Sequence, residues 1–383
     1  NMGTISQSEN YSEARHALRQ AYQASNLTLY LGAGVSVASN LPAWDQLVYM
    51  MYAFVLNKED KWLKWNPFIN YLQAIAEYLK KHESEPLEIT ARKIRDIYVR
   101  ELEKPNDFTK DLRTLLYNGY ISELDGAAVH GYDSFDAEGL YLTNPTLRGV
   151  YELCRGQSSG VKSVVTYNYD ALLEILLNDS SLNSHDRRAY QSVFSQEALN
   201  PNVLPIFHPH GFLPPDVAVG SNEDEVIFTE EQYHRVSMDP YHWSNLIQLS
   251  SMSGTVGLMV GLSLSDRNIR RLLDSLASSP LPVRIYALLQ APHVELPDDE
   301  QSRLIHERAL EIDERKRKSS KTVEGIDGVK GASYATQIRG IVEELSNRTK
   351  AQQEGVLKNM GIIPIWYESH NEILPFCRAI KSL

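Results

Sequence analysis

The chain has 383 residues, of which 43% are hydrophobic and 23% are charged, and its net charge is -11. These values are typical of a globular protein with one large domain or two ordinary ones. The acidic balance argues against a surface built throughout to bind nucleic acid, because phosphate contacts need clustered Lys and Arg. Since no apolar stretch approaches about twenty residues, we expect neither a membrane span nor a membrane partner.

The first residues and the cysteine count indicate the compartment. The opening residues lack a basic and then apolar signal sequence, so we expect a cytoplasmic protein. Cys154 and Cys377 are the only two cysteines, too few for a four-thiolate zinc site or a disulfide framework. We predict that both are reduced, buried thiols.

The first predicted strand ends in a glycine-rich turn. The run Leu27–Leu31 has the length and apolar composition of a buried parallel strand. Gly32 and Gly34 would allow a tight turn and the close approach of a phosphate. The amides of Ala33–Ser36, together with the Ser36 hydroxyl, would donate to an anion. An ordinary strand-to-helix connection is equally compatible with such a turn.

Helices are predicted for most of the chain from this turn to about residue 159. We expect Val35–Ala38 to open a helix, and Asp45–Leu47 to begin another after Pro42. Apolar residues then recur at helical spacing without a convincing strand. The exception is Tyr120–Tyr141, which is rich in Gly, Asp and Tyr and is predicted to be an irregular surface loop. A helical insertion between the first two strands accounts for this pattern.

Strands return after residue 160 and alternate with helices. They are predicted at Ser163–Thr166, Val203–Phe207, Thr255–Val260, Val283–Leu289 and Ile362–Tyr367. This alternation predicts an α/β fold with a doubly wound, mostly parallel sheet of the Rossmann-like type and helical insertions. Pro364 indicates that the last strand lies at a sheet edge.

The predicted elements divide the chain into five parts. These are the first part of the core (1–44), a helical insertion (45–159), the second part of the core with the candidate site (160–292), a charged helical segment (293–360), and the last strand and helix of the core (361–383). The charged segment contains a basic patch at Arg315–Lys318, continuing to Lys321, and a soft break at Gly325–Gly331 that is compatible with disorder. The patch fits either a solvated helix end or a contact with an acidic partner or nucleic acid.

Polar residues follow four of the predicted strands. They lie in the glycine turn, in Thr166–Asp170, in Pro209–Gly211 and in Gly261–Asp266. The carboxyl ends of parallel strands meet at one edge of a sheet, where ligands bind, so we expect these loops to face one pocket.

Each of these residues also has a simpler interpretation. Asn168 and Asp170 could cap the helix that begins at Ala171, and Asp266 and Asn268 could cap the helix that follows them. His210 could be an ordinary loop histidine. His208 and His210 suggest a metal pair, but no third ligand is near in the sequence, so we predict no metal.

The motifs, in their order along the chain, resemble those of sirtuins. They are Gly32–Ser36, Leu41–Trp44, Thr166–Asp170, Pro209–Gly211 and Gly261–Leu264. They are most similar to the sirtuin-like bacterial domains found in antiphage defence. The resemblance covers about residues 27–44 and 160–290, and it implies a sirtuin-type Rossmann-like core that binds oxidised nicotinamide adenine dinucleotide (NAD).

The resemblance implies a role for each residue of the pocket. The predicted NAD-binding residues are Gly32, Ala33, Gly34, Ser36, Asp170, Gly261 and Ser263, with the glycine turn at the pyrophosphate and Ser263 at the adenosine half. His210 is the expected general base, and Asn168 would hold the water or a ribose hydroxyl. With water as the nucleophile, the products would be ADP-ribose and nicotinamide.

Two departures from the sirtuin pattern narrow this expectation. Protein-deacylating sirtuins carry two CxxC pairs that bind zinc, and the sequence has none, so we expect neither deacylation nor zinc. Val37 stands where the dinucleotide fingerprint of dehydrogenases has its third glycine, which makes a dehydrogenase a poor fit.

The resemblance further implies an NAD hydrolase that acts as the toxic effector of a phage-defence system. Because the chain ends soon after the sheet, we expect regulation by homo-oligomerisation or by a partner, most similar to pairing with a HerA-type hexameric ATPase. Nucleic acid would then be contacted through the complex. The alternatives are a regulatory module that binds NAD or ADP-ribose without chemistry, and a nuclease activated within a complex.

Overall fold

The computed structural model describes residues 10–60, 65–82, 85–102, 107–117, 135–183, 186–215, 226–264, 266–278, 284–292, 295–319 and 333–382. It divides the chain into two compact units, Asn1–Leu289 with Met360–Leu383, and Gln290–Asn359. Within the described ranges, no helix combines the length and the apolar character that crossing a bilayer requires.

The elements alternate between strands and helices as the sequence predicts. The strands are β1 Leu27–Leu31, β2 Val161–Thr166, β3 Tyr190–Val193, β4 Leu204–Phe207, β5 Val256–Val260, β6 Arg284–Gln290 and β7 Ile362–Tyr367. The helices are α1 Tyr11–Gln23, α2 Trp44–Asp60, α3 Trp65–His82, α4 Leu87–Asp96, α5 Asp107–Leu116, α6 Ala137–Thr143, α7 Pro145–Cys154, α8 Leu172–Asn178, α9 Glu230–Met238, α10 Trp243–Gly254, α11 Arg267–Ala277, α12 Asp299–Ser319, α13 Ser333–Asn359 and α14 Ile373–Lys381.

The strands form one seven-stranded sheet in the order β3-β4-β2-β1-β5-β6-β7. The pairings of β1 with β2 and β5, of β4 with β2 and β3, and of β5 with β6 are parallel. All five residues of β1 are buried, with three leucines on one face and Thr28 and Tyr30 on the other. The buried Thr28 hydroxyl is hydrogen-bonded to Ser163 Oγ (2.9 Å) and Thr255 Oγ1 (2.8 Å). The predicted α/β fold is confirmed, and so is the edge position of the strand that contains Pro364.

The strand order reverses beside β1, and this reversal positions a crevice. From β1 the chain first forms β2, β3 and β4 on one side of the sheet, with β4 inserted between β2 and the edge strand β3, and it then forms β5, β6 and β7 on the other side. Leu31 lies opposite both Thr166 and Val260, so β1, β2 and β5 end at the same level. In open α/β sheets, ligands bind outside the carboxyl ends of the strands at such a switch point.

One predicted helix is wrong. Val35–Ala38 does not open an α-helix but lies in two short 3₁₀ turns, Ala33–Val35 and Val37–Ser39. The side-chain amide of Asn144 donates to the Val35 carbonyl oxygen (2.7 Å) and to Ser39 Oγ (2.8 Å). The Val35 carbonyl oxygen, which would accept a backbone amide in an α-helix, therefore accepts the Asn144 side chain instead. Asn40 ends the second turn in the left-handed conformation.

The prediction of an irregular loop at Tyr120–Tyr141 is wrong at its end. Residues 118–134 lie outside the described residues, but Ala137–Thr143 form α6, capped by the Asp136 side chain. The sequence analysis also missed β3, because this strand has only four residues and a half-buried, mostly polar sequence. The predicted break at Gly325–Gly331 lies outside the described residues.

The second unit contains α12 and α13. Arg339 ties the start of α12 to α13, since its Nε donates to the Pro297 carbonyl oxygen (2.8 Å) and its guanidinium pairs with Asp299 (2.6 Å). Arg315 is exposed on α12, and the next three residues of the predicted patch continue this helix. The five-part division of the chain stays a prediction.

Candidate active site

A cavity of about 810 Å³ lies at the carboxyl ends of β1, β2, β4 and β5. Every predicted site residue lines it: Gly32, Ala33, Gly34, Ser36, Asn168, Asp170, His210, Gly261 and Ser263. The structure therefore brings together side chains and backbone from segments far apart in the sequence. A volume of this size is typical of sites for small molecules and cofactors.

The two glycines of the turn are needed for contact with a neighbouring loop. A Cβ atom on Gly32 would lie 2.5 Å from the Gly261 carbonyl oxygen, and one on Gly34 would lie 2.8 Å from Gly261 Cα. Gly261 itself adopts a φ of 68°, in the left-handed region that favours glycine. The loops after β1 and β5 thus pack backbone against backbone at the base of the cavity.

Most amides of the turn already have acceptors within the protein. The Gly34 amide donates to Gly261 O (2.9 Å), the Val35 amide to Gly32 O (3.0 Å) and the Ser36 amide to Ala33 O (3.0 Å). A phosphate at this turn would share these amides or displace their acceptors. The predicted anion contact of the backbone stays a prediction.

Ser36, Asn168 and Asp170 form a hydrogen-bonded network on the wall of the cavity. Ser36 Oγ donates to Asp170 Oδ2 (2.7 Å) and accepts from Asn168 Nδ2 (3.1 Å), which also donates to the Gly32 carbonyl oxygen (2.9 Å). The side-chain NH2 group of Asn168 therefore fixes the glycine turn. The side-chain oxygen, Oδ1, is an acceptor by its chemistry.

Asp170 faces the cavity and also contacts the start of a helix. Its Oδ1 accepts from the amide of Leu172, the first residue of α8 (3.0 Å), but the N-cap position predicted for Asp170 is occupied by Ala171. Burial raises the pKa of Asp170, and the hydrogen bonds from Ser36 and Leu172 oppose this shift.

His210 lines the same cavity, among aromatic rings and one carboxylate. Its imidazole centroid is 5.3 Å from the Tyr167 ring and 6.0 Å from the Tyr233 ring. His210 Nε2 lies 3.5 Å from Asp266 Oδ2. The Tyr167 hydroxyl donates to Gln248 Oε1 (2.8 Å), which fixes the position of this ring.

The sequence analysis missed the contribution of α9 to this site. Thr229 caps α9, with Gln232 completing a capping box. The helix so positioned places Glu230, Tyr233 and His234 along the cavity. Because residues three and four positions apart lie on the same face of a helix, the sequence predicts that these side chains are neighbours. It does not show that this face of α9 lines a cavity.

His208 is separate from the cavity and forms a buried pair. Its Nε2 lies 2.8 Å from Glu174 Oε1, which also accepts from Ser192 Oγ (3.1 Å). Its Nδ1 lies 3.4 Å from the backbone carbonyl oxygen of Asn168. The His208–Glu174 pair therefore supports the loop that carries Asn168. His208 and His210 face different surroundings, and no cluster of metal-binding side chains is found among the described residues.

Comparison with known families gives one match. Residues 162–312 match the SIR2-like domain, which supports a sirtuin-like protein. SIR2-like domains bind NAD, and members of this family are NAD-dependent enzymes. The match includes Asn168, His210 and the Gly261 loop, whereas the glycine turn after β1 precedes it. Curated proteins give no significant match.

Proposed function

We propose that this chain is an NAD hydrolase that cleaves the bond between nicotinamide and ribose in the cavity at the β1–β5 switch point. The observation that carries the proposal is the convergence of His210, Asn168 and the glycine turn on one cavity of about 810 Å³. The SIR2-like match at residues 162–312 supports NAD as the substrate.

The residues fit the proposed reaction. As the C1′–N bond breaks, its electron pair goes to the nicotinamide ring and positive charge builds on the ribose. The ionisable carboxyl groups and polar side chains of the cavity would stabilise this charge. A water oxygen forms the new bond to C1′, and the proton released from the water goes to His210. The side-chain oxygen of Asn168, Oδ1, would accept a hydrogen bond from the water or from a ribose hydroxyl.

The direct test is nicotinamide release from NAD, measured by chromatography. We expect His210→Ala to lower the rate by about a hundredfold, the range that general acid–base groups contribute. Asn168→Ala should also lower the rate, because the water or the ribose hydroxyl loses its acceptor. His16→Ala and Asn202→Ala, at exposed positions outside the cavity, serve as matched controls and should keep the wild-type rate.

The same assay separates the alternatives. Release that survives both cavity substitutions would remove the catalytic assignment. NAD binding without release under any condition would favour a regulatory binding module. Equilibrium dialysis with NAD, done on the same preparations, distinguishes this module from a chain that does not bind NAD.

The wider role is proposed from the resemblance to bacterial defence domains. In this proposal the chain is the effector of an antiphage system, it assembles as a homo-oligomer, and a HerA-type hexameric ATPase regulates it. Co-expression with such an ATPase and purification through a tag on one partner tests the pairing. A hexameric ATPase that never co-purifies would contradict it.

A further inference from the structure

Asp266 presents its two carboxylate oxygens to different groups. Oδ1 accepts from the amides of Asn268 (2.8 Å) and Ile269 (2.9 Å), which makes Asp266 the N-cap of α11. The Tyr233 hydroxyl also donates to Oδ1. With Oδ1 fixed by three donors, Oδ2 is turned toward His210 Nε2 at 3.5 Å.

Asp266 is the charged side chain that contacts the His210 imidazole. Among the described residues, the titratable groups in direct contact with the imidazole are Asp266, the Tyr167 phenol and the Tyr233 phenol, while Glu230 and His234 of α9 line the same cavity. Burial raises the pKa of both phenols, with the Asp266 charge adding to each shift, so both are neutral at pH 7. The Arg270 guanidinium, on α11, donates to the Leu264 carbonyl oxygen (2.9 Å).

We propose that Asp266 is a positioning residue for His210, orienting its imidazole and balancing the charge that His210 gains when it takes a proton. The inference rests on the proposed hydrolase function for its role in the reaction. A proton on Nε2 directed at Asp266 leaves Nδ1 unprotonated, which is the form that a base requires. Helix capping then serves a second purpose, because the amides of α11 fix the carboxylate that orients the base.

The strength of this coupling follows from partial burial. The side chains of His210 and Asp266 are 15% and 21% exposed, so solvent and salt screen their interaction only in part. A separation of 3.5 Å is longer than a hydrogen bond, and catalytic contacts of this kind often shorten when the substrate binds.

The substitution Asp266→Asn tests the inference without removing the cap. Asparagine is as good an N-cap as aspartate, so α11 keeps its start while the charge is lost. We expect kcat for nicotinamide release to fall about tenfold with KM little changed, because the variant still binds NAD but no longer orients the base. Asp136→Asn, at the exposed cap of α6, is the control and should change neither.

A second measurement does not depend on catalysis. The 15N chemical shifts of the His210 ring show which nitrogen of the neutral imidazole carries the proton. Wild type and Asp136→Asn should carry it on Nε2, whereas in Asp266→Asn the population protonated on Nε2 should fall, because the acceptor Oδ2 is replaced. If wild-type protein releases no nicotinamide but the ring shifts still change in Asp266→Asn, the hydrolase proposal fails and the orienting role of Asp266 stands.

Two outcomes with Asp266→Asn would contradict a positioning role for Asp266. If Asp266→Asn remains folded, as judged by circular dichroism, and neither its kcat nor the 15N chemical shifts of the His210 ring change, then Asp266 only caps α11. A lower kcat with unchanged ring shifts would also overturn the positioning role, because a purely structural defect produces that pattern.

Discussion

Asp170 is a buried carboxyl group whose environment favours its neutral form. Burial raises its pKa above the ordinary value of 3.8, against the hydrogen bonds from Ser36 and Leu172. The folded protein therefore holds a proton on this group more tightly than the unfolded chain does. This contribution to stability is complete below pH 3.8 and is lost as the pH rises through the higher pKa of the folded state.

The substitution Asp170→Asn should remove this dependence. We expect the free energy of unfolding of wild type, minus that of Asp170→Asn, to decrease as the pH rises from about 4 and then to become constant. Urea denaturation at a series of pH values measures this difference. A difference that increases with pH would show that the hydrogen bonds to the ionised carboxylate outweigh its burial.

Asp179 provides a control of opposite sign. Hydrogen bonds from Ser181 and from the Leu182 amide lower the pKa of this more exposed carboxyl group. Its stabilising contribution is present above pH 3.8 and is lost as the pH falls. The difference between wild type and Asp179→Asn should therefore decrease toward acid, where the Asp170 difference increases.

At the scale of elements, the contact between the loops after β1 and β5 fixes the base of the cavity. Gly34→Ala would force a Cβ atom to within 2.8 Å of Gly261 Cα, and a backbone atom cannot move aside as a flexible side chain can. We expect a loss of about 1–3 kcal/mol in the free energy of unfolding, the usual cost of overpacking. Thermal denaturation by circular dichroism measures it.

Gly254→Ala is the matched control. Gly254 ends α10, and a Cβ atom there would meet nothing within 4 Å. This variant should be as stable as wild type or slightly more stable, because alanine restricts the unfolded chain. Equal melting temperatures for Gly34→Ala and Gly254→Ala would contradict the proposed packing of the two loops.

The sequence predicts the strands and the loops of the site better than it predicts what the loops contact. Apolar runs identify β1, β2 and β5, and the parallel order places their polar ends at one edge. The same glycine pattern does not show that Gly34 meets Gly261, because that contact depends on which strands become neighbours. The two 3₁₀ turns after β1 were missed for a similar reason, since Asn144, which binds the Val35 carbonyl, is distant in the sequence.

The capping prediction for Asp266 is confirmed, but its contact with His210 was not predicted. Capping of α11 by Oδ1 is enough to account for Asp266 at this position of the sequence. The sequence therefore gives no reason to expect that Oδ2 contacts His210. Tyr233 was missed because its helix, α9, has the polar sequence of a surface helix. Only the tertiary structure shows that this surface lines a cavity.

At the scale of the whole molecule, the cysteines report on global unfolding. Cys154 on α7 and Cys377 on α14 are free and buried, as predicted, and burial raises the pKa of each thiol to about 12. Because the thiolate is the reactive form, we expect both to resist iodoacetamide at pH 8 until denaturant is added. Rapid labelling of the native protein, read by mass spectrometry, would show that α7 and α14 separate readily.

The central claim is that one dinucleotide binds across the loops that follow β1, β2, β4 and β5. A crystal structure of the chain with ADP-ribose, the expected product, tests this claim most directly. The account predicts the diphosphate beside the turn Gly32–Ser36 and the terminal ribose within about 3 Å of His210 or Asn168. ADP-ribose bound outside this cavity, or with its terminal ribose away from both side chains, would contradict the account.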